Sequence, residues 1–425
     1  MLLIYSHHIT PRLSYTLQFI FNEVWKFPFE LTDRADVFEA FEGPRIYYGK
    51  NPPATCIQIE PQGLLHATGI QPQEIQCFTH LGYPAFFKSP GVGYPFDIFS
   101  GVFYLISRYE EYLPHTKDLY GRFPHTASLA FQEGFLNIPL VNYWLIDFQQ
   151  AVRQLYPGFQ PAGNVFRYVP TYDIDIAWSY KHKGFGRNLG GWLLKPGLER
   201  CRVLSGSKPD PYDSYTFIEQ LSEKYHHQPI FFFLLSEDRN RYNKNIRPSH
   251  PAMQELIHRL NHYRAGIHPS YNSMQQPGLI EQEITLLQNI TEKPVRDSRQ
   301  HYLRFELPQT YRALIRAGIV NEFSMGYGSI NGFRASVAHA FHWYDLEAEQ
   351  ITPLKIHPFC FMDANSYFEQ KQDVTVTQQE LNDYYEKCRS VHGCMITIFH
   401  NHILGSEKMF SGWSEMYAQF ASRIS

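Results

Sequence analysis

Residues 165–175 read VFRYVPTYDID, an apolar strand-like run that ends in two carboxylates, Asp173 and Asp175. Five similar runs follow it, and helical patterns separate them. The six runs are residues 165–172, 229–235, 265–268, 319–324, 356–362 and 394–399. This alternation predicts an α/β fold with a parallel sheet. Because no Gly-x-Gly-x-x-Gly follows the first run, we favour a (β/α) barrel of about seven strands over an open dinucleotide-binding sheet.

A cluster of helix and strand breakers precedes this region. Pro157, Gly158, Pro161 and Gly163 follow an amphipathic stretch at 141–156, and we place a domain boundary there. Upstream, short strand-like segments mix with helical patterns. The sequence therefore predicts a small α/β domain over residues 1–157 and the barrel over residues 165–425.

Composition excludes several classes of protein. The chain has 425 residues, of which 44% are hydrophobic and 19% charged, so it is neither disordered nor fibrous. The 38 Lys and Arg residues are balanced by 41 Asp and Glu residues, and no basic run is present, which argues against nucleic acid as a partner. An aromatic share of 16% fits a large core or a sugar-stacking surface equally well.

Cysteine usage and hydropathy indicate the compartment. The six cysteines include no Cys-x-x-Cys pair and are expected to be reduced thiols. The longest apolar run, residues 230–235, has six residues, far fewer than the ~18 needed for a membrane span. The first residues are too few for a signal peptide core. We therefore expect a soluble, cytoplasmic protein, and the oligomeric state is not indicated.

Polar residues follow five of the predicted strands. In a barrel, the active site is built just past the carboxyl ends of the strands. The residues found there are Asp173 and Asp175; His268; Arg299, His301 and Tyr302; Asp363; and His400 with Asn401. Carboxylates and histidines converging on one rim suit a divalent metal beside a general base. The alternative is structural, because Asp often caps turns and His often completes a loop hydrogen bond.

Residues from about 165 onward resemble the polysaccharide deacetylases, the NodB-homology fold of carbohydrate esterase family four. Members of this family remove N-acetyl groups from sugars with a divalent metal. Residues 171–175, Thr-Tyr-Asp-Ile-Asp, are similar to an Asp-x-Asp variant of the first family motif. The resemblance implies that Asp173 is the base and Asp175 a metal ligand.

The last predicted strand resembles the fifth family motif, a hydrophobic strand that ends in histidine. The resemblance implies that His400 is the acid that protonates the leaving amine. Asp363 would orient and charge His400, and Arg299 would hold Asp173 ionised. Both are therefore expected to serve the catalytic pair.

Two motifs depart from the family pattern. The second, His-x-x-x-His, matches only at His268, because Asn272 stands where the second histidine is expected. The third, Arg-x-Pro-Tyr, aligns with residues 299–302 and places His301 at the proline. The predicted metal ligands are therefore Asp175, His268 and His301, and the expected metal is Zn²⁺. A weaker site completed by Asn272 or water, or no metal at all, remains open.

The whole chain resembles a narrower bacterial branch in which a domain of unknown function precedes the deacetylase-like barrel. The residues that carry this resemblance include the segments 99–114, 121–123 and 332–335. Arg334 is a candidate to bind a substrate carboxylate or phosphate, and a loop-bracing salt bridge is its alternative. Tyr271, Tyr302 and Asn401 are the other candidates for substrate binding.

The sequence thus predicts a metal-dependent hydrolase of C–N bonds, with a carbohydrate as its partner. The preferred reaction is N-deacetylation of an acetamido sugar in a cell-envelope polysaccharide or its precursor. The alternatives are a metal-independent allantoinase-like amidohydrolase and a catalytically silent carbohydrate-binding protein. A glycosyltransferase that uses Asp173 and Asp175 is a more distant possibility. The sequence does not indicate which sugar is bound.

Overall fold

The N-terminal part of the chain forms a four-stranded parallel sheet. A computed structural model describes residues 1–53, 55–91, 93–194, 197–276 and 278–424. The strands are β1 (Leu2–Ser6), β2 (Phe29–Thr32), β3 (Arg45–Tyr48) and β4 (Ile57–Ile59), in the order β2-β1-β3-β4. Every residue of β1 is buried, as expected for the central strand of a covered parallel sheet. A separate antiparallel hairpin joins β5 (Phe78–His80) and β6 (Tyr83–Ala85).

Five α-helices accompany these strands within the described residues. They are α1 (Pro11–Leu17), α2 (Ala35–Ala40), α3 (Ile98–Ile106), α4 (Leu129–Gln132) and α5 (Leu140–Leu155). The helix α1 begins at an N-cap, Thr10, whose side chain accepts a hydrogen bond from the backbone of Leu13. It continues as a π-helical stretch, Gln18–Val24. Between Leu155 and Arg167, all of which the structure describes, the chain forms neither helix nor strand.

The C-terminal part forms a nine-stranded sheet. Its strands are β7 (Arg167–Ile174), β8 (Ile230–Phe233), β9 (Arg264–Ile267), β10 (Asp297–Ser298), β11 (Asn321–Glu322), β12 (Phe341–Asp345), β13 (Gln350–Ile356), β14 (Phe361–Met362) and β15 (Cys394–His400). Their order is β12-β13-β11-β10-β9-β8-β7-β15-β14, and every pairing is parallel except that of β12 with β13. The predicted α/β fold with a parallel sheet is confirmed.

The predicted closed barrel of about seven strands is not confirmed. Among the described residues the sheet is open, with β12 at one edge and β14 at the other. The strand β13 pairs with β11 on one side and with β12 on the other, so β13 offers no free edge that β14 could join. The predicted strand at 356–362 is also interrupted, since β13 ends at Ile356 and β14 begins only at Phe361.

Eight α-helices lie in the described residues of the C-terminal part. They are α6 (Phe185–Leu194), α7 (Leu198–Leu204), α8 (Tyr215–Lys224), α9 (Pro251–Leu260), α10 (Gly278–Thr291), α11 (Gln309–Arg316), α12 (Val374–Ser390) and α13 (Trp413–Ile424). Within the described part of the chain, no helix combines the length and the apolar character needed to cross a membrane.

One hydrophobic cluster of buried residues runs through both parts of the chain, from Leu2 to Phe420. Ion pairs also link the two parts, as between Arg12 and Glu349. The N-terminal region therefore packs directly on the large sheet, and its loops can reach the edge where the strands end.

Candidate active site

A pocket of about 330 Å³ lies where β7, β9 and β15 end. The residues that line it include candidates from the C-terminal strand ends and two residues from the N-terminal region. Among them are Tyr120, Arg122, Asp173, Asp175, Tyr242, His268, His301, Tyr302, His400 and His402. Since the carboxyl ends of parallel strands meet at one edge of a sheet, residues distant in sequence come together there.

Asp175, His268 and His301 present three possible metal-ligating atoms within 4.8 Å of one another. Asp175 Oδ1 lies 3.1 Å from His268 Nε2 and 3.3 Å from His301 Nδ1. The two ring nitrogens are themselves 3.0 Å apart. Two histidines and one carboxylate form the protein ligand set of many catalytic zinc sites, which leave a fourth position open.

Backbone carbonyls fix the tautomers of both histidines. His268 Nδ1 lies 2.6 Å from the carbonyl oxygen of Arg299, and His301 Nε2 lies 3.2 Å from that of Tyr242. Because a carbonyl oxygen only accepts, each of these nitrogens carries the proton. In a neutral ring the other nitrogen then keeps its lone pair, and in both residues that nitrogen faces Asp175. Histidines that ligate metals are oriented in the same way.

The acceptor atoms of this group are unsatisfied as they stand. Asp175 Oδ1 is buried and accepts no hydrogen bond. Burial raises the pKa of Asp175, but the positive charges that His301 and His268 carry when they are protonated hold it well below its ordinary value. A buried carboxylate oxygen without a donor, beside two convergent imidazole lone pairs, is costly unless a cation is shared among them. The residues present therefore fit a divalent metal ion.

Asn272 does not take part in this group. It lies in the 3₁₀ turn Tyr271–Met274 and is absent from the residues that line the pocket. His301, by contrast, is buried and faces the group. Of these two positions, it is therefore His301 that lies beside Asp175 and His268.

Asp173 is held by a buried arginine. Its Oδ1 accepts a hydrogen bond from Arg299 Nη1 over 2.8 Å, and the same Nη1 donates to Thr171 Oγ1 over 2.6 Å. The Arg299 side chain is fully buried and its guanidinium lies over the Phe232 ring. A charge-assisted hydrogen bond of this kind fixes the orientation of the carboxylate. Asp173 therefore sits in the pocket as a candidate proton acceptor.

His400 faces Asp175 from the other side and pairs with Asp363 behind it. His400 Nδ1 lies 2.6 Å from Asp363 Oδ1, and its backbone N–H donates to Asp363 Oδ2 over 2.7 Å. Burial alone would lower the pKa of His400, but the charge and hydrogen bond of Asp363 outweigh it and raise the pKa to about 10. With Nδ1 bound to Asp363, Nε2 points toward Asp175 Oδ2 at 3.6 Å. His400 is thus set up as a proton donor at Nε2.

Tyrosines form one wall of the pocket. Tyr302 lines it, and burial, followed by the charge of Asp175, raises the pKa of its phenol to about 12. Tyr302 therefore keeps its proton and can donate a hydrogen bond. Tyr271 stacks on Tyr242 with ring centres 3.7 Å apart. Tyr242 lines the pocket and Tyr271 lies behind it, so Tyr271 supports the wall.

Two residues predicted to bind substrate lie elsewhere. Arg334 is buried and forms a bidentate ion pair with Glu111 of the N-terminal region, at 2.8 and 2.7 Å. The alternative interpretation, a salt bridge that braces the loop, is the one the structure contains. Asn401 is fully buried, and its amide donates to the carbonyls of Ile176 and Tyr212. Neither side chain lines the pocket.

Sequence reasoning missed several residues of the pocket. Tyr120 and Arg122 reach it from the N-terminal region, and no spacing in the sequence links them to residues beyond 165. His402 also lines the pocket, two positions after His400. The sequence His-Asn-His at residues 400–402 could have indicated this second histidine. Burial, followed by the charge of His400, lowers the pKa of His402 to about 3, so His402 is neutral.

Comparisons with known proteins give one family match and several similar folds. Residues 2–157 match the model of a family of unknown function, DUF7033. No curated protein sequence matches the chain significantly.

Three solved structures illustrate the structural similarity. A protein from Mycobacterium smegmatis assigned as a polysaccharide deacetylase is 11% identical, with a TM-score of 0.39 over 63% of this chain and 86% of its own. A polysaccharide deacetylase from Bacillus cereus is 9% identical, with a TM-score of 0.30 over 61% and 88%. A de-N-acetylase from Aggregatibacter actinomycetemcomitans is 10% identical, with a TM-score of 0.23 over 37% and 87%. The chain is similar, at low identity, to these three structures, and its residues 2–157 match a family whose function is unknown.

Proposed function

We propose that this protein is a metal-dependent N-deacetylase that acts on an acetamido sugar of a cell-envelope polysaccharide or its precursor. The observation that carries the proposal is the convergence of three groups on one pocket. These are the triad Asp175, His268 and His301, the carboxylate Asp173, and His400 with its partner Asp363.

Asp175, His268 and His301 would hold the metal, which we take to be Zn²⁺. Bound there, a divalent ion supplies a Lewis acid that polarises an amide carbonyl and makes a water molecule more acidic. The two histidines need no reorganisation for this role, because their other nitrogens already donate to backbone carbonyls. Pre-oriented ligands of this kind favour tight binding.

Asp173 and His400 divide the proton transfers. Asp173, oriented by its hydrogen bond from Arg299, accepts the proton of the water that attacks the acetamide carbon. His400, kept protonated by Asp363, gives a proton to the amine nitrogen as the C–N bond breaks. The acyl group leaves as acetic acid and the sugar as the free amine. Asp173 then holds one proton more and His400 one proton fewer, and transfer of a proton between them through water restores both. Arg299 and Asp363 act through these residues and are positioning residues.

The pocket wall offers groups suited to a sugar. Tyr302 and Tyr242 present aromatic faces and phenol groups beside the triad. Aromatic side chains combine an apolar ring with a polar group, which matches the apolar face and hydroxyl rim of a pyranose.

The test separates metal binding from proton transfer. Asp173→Asn is expected to keep about one zinc per chain. Its rate of acetate release from acetylated amino sugars is expected to fall by roughly 10²-fold to 10⁴-fold. Asp175→Ala is expected to lose both metal and activity. Asp36→Asn, an exposed carboxylate in the N-terminal region, serves as control. Full activity of the wild type in chelator, or of Asp173→Asn, would contradict the proposal.

A further inference from the structure

A helical excursion leaves the large sheet directly after Asp175. It runs from about residue 178 to residue 212 and contains α6 and α7. Asp210, which is buried, closes its base. Asp210 Oδ1 accepts hydrogen bonds from the backbone of Ser179 and Tyr212, and its Oδ2 accepts from Tyr180 and Lys181. Both ends of the excursion are thus tied to one carboxylate, and the helices project from a fixed base.

The helices of this excursion expose an unusual amount of apolar surface. Seven of the 22 exposed large apolar side chains among the described residues lie between positions 185 and 204. They are Phe185, Leu189, Trp192, Leu193, Leu194, Leu198 and Leu204. Phe185, Leu189, Trp192 and Leu193 recur at helical spacing and share one face of α6. Apolar patches of this kind on a protein surface mark a binding face.

The same excursion is strongly basic. Residues 181–208 contain seven lysines and arginines and a single acidic residue, Glu199. The basic residues alternate with apolar ones, so they form no run in the sequence. Arg187 and Arg202 are exposed. Burial, followed by the charge of Arg187, lowers the pKa of Lys183 to about 8.

We propose that α6 and α7 dock on the surface of an anionic lipid bilayer. Short helices that combine Trp, Phe and Leu on one face with Lys and Arg around it lie in the membrane interface. Each cation near an anionic leaflet adds to the attraction. A second copy of this chain fits less well, because a symmetric contact would place the same basic residues against each other.

Docking would bring the pocket to the membrane. The excursion begins three residues beyond Asp175 in the chain, and Tyr212 at its other end contacts His402, which lines the pocket, with ring centres 5.4 Å apart. A bilayer held against α6 and α7 would therefore lie close to the pocket. This inference rests on the surface alone and does not depend on the proposed deacetylation.

The experiment is co-sedimentation of the full chain with vesicles. Vesicles of 30% phosphatidylglycerol in phosphatidylcholine are expected to bind the protein at least about tenfold more strongly than pure phosphatidylcholine vesicles. Leu193→Glu with Leu194→Glu is expected to weaken that binding by about tenfold or more. Arg187→Glu with Arg202→Glu is expected to weaken it to a similar extent. All four side chains are exposed, so the variants should fold.

Matched controls and a second readout complete the test. Val165→Glu and Arg316→Glu change exposed residues outside the excursion and are expected to bind as the wild type does. Tryptophan emission is expected to shift to the blue on anionic vesicles, and Trp192→Phe should remove the shift. Equal binding of the Leu193→Glu, Leu194→Glu variant would overturn the inference. So would an absence of wild-type binding, or a wild-type dimer that this variant abolishes.

Discussion

Arg122 Nη1 donates a hydrogen bond of 2.8 Å to the backbone carbonyl of Tyr302. A second hydrogen bond connects the same two loops in the opposite direction, because Arg304 Nε donates to the carbonyl of Tyr120 over 2.7 Å. Two arginines thus clasp a loop of the N-terminal region to the loop that follows β10. The loop after β10 carries His301, the candidate third metal ligand.

These hydrogen bonds hold a loop whose backbone conformation is energetically unfavourable by itself. Tyr302 and Leu303 have φ values of 59° and 52°, which residues other than glycine seldom adopt. Arg122 also pairs with Asp118 over 2.7 Å. The N-terminal region therefore holds the loop in the form that aims His301 at Asp175.

We predict that Arg122→Ala weakens zinc binding by about 10-fold to 100-fold, the range seen when groups that orient metal ligands are removed. A competition titration with a zinc-sensitive dye measures the dissociation constant directly, without a substrate. Arg34→Ala, which removes an exposed arginine of the same region, should leave the constant unchanged. An unaltered constant in Arg122→Ala would show that the loop holds its form without the clasp.

A second prediction concerns the exchange of ligand position. His301→Ala should bind zinc at least about 100-fold more weakly than the wild type, because removing one of three protein ligands disables such a site. Asn272→Ala should bind zinc within about twofold of the wild type, because Asn272 does not line the pocket. Elemental analysis of the two purified variants decides the matter. Loss of zinc in Asn272→Ala would contradict this prediction and would indicate that Asn272 is a ligand.

A third prediction is a pH dependence of stability at Glu283. This residue of α10 is buried and accepts a hydrogen bond from the backbone of Ser270 over 2.8 Å. Burial raises the pKa of Glu283 to about 7. As the pH rises from about 4.5 to 7, the unfolded chain ionises first. The folded state is therefore penalised, and the full penalty is present above pH 7.

Glu283→Gln removes that ionisation. The variant should therefore exceed the wild type in unfolding free energy by roughly 3 kcal/mol at pH 8, and the difference should vanish near pH 4. Denaturant unfolding at several pH values measures it. Glu281→Gln, on the exposed side of the same helix, provides the control. A difference that does not change with pH would refute the assignment.

A fourth prediction distinguishes the two interpretations of Arg334. Arg334→Met leaves the buried Glu111 carboxylate with Arg108 as its remaining partner. We expect the unfolding free energy to fall by about 3 kcal/mol, because a buried ion pair is broken on one side. Arg316→Met, at an exposed position, should change it little. If Arg334 binds substrate, Arg334→Met would instead raise KM and leave the stability unchanged. That result would contradict the structural role and support substrate binding by Arg334.

The pattern of the sequence was sufficient for the strand ends. Apolar runs of strand length separated by helices indicate a parallel sheet, and in such a sheet the carboxyl ends share an edge. Asp173, Asp175, His268 and His400 were placed together on that basis, and the structure does bring them into one pocket. Local pattern is enough here because each of these residues lies at the carboxyl end of its own strand or just beyond it.

Long-range pairing decided the rest. The antiparallel strand β12 takes the free edge of β13 and leaves the sheet open. Arg334 turns to Glu111, 223 residues away, and Arg122 reaches Tyr302 across 180 residues. The direction of a side chain on a loop depends on which distant segment packs against it, and no periodicity within the sequence encodes that partner. The sequence by itself therefore determined the sheet and the residues at its strand ends, and only the tertiary structure decided which of the remaining polar groups face the pocket.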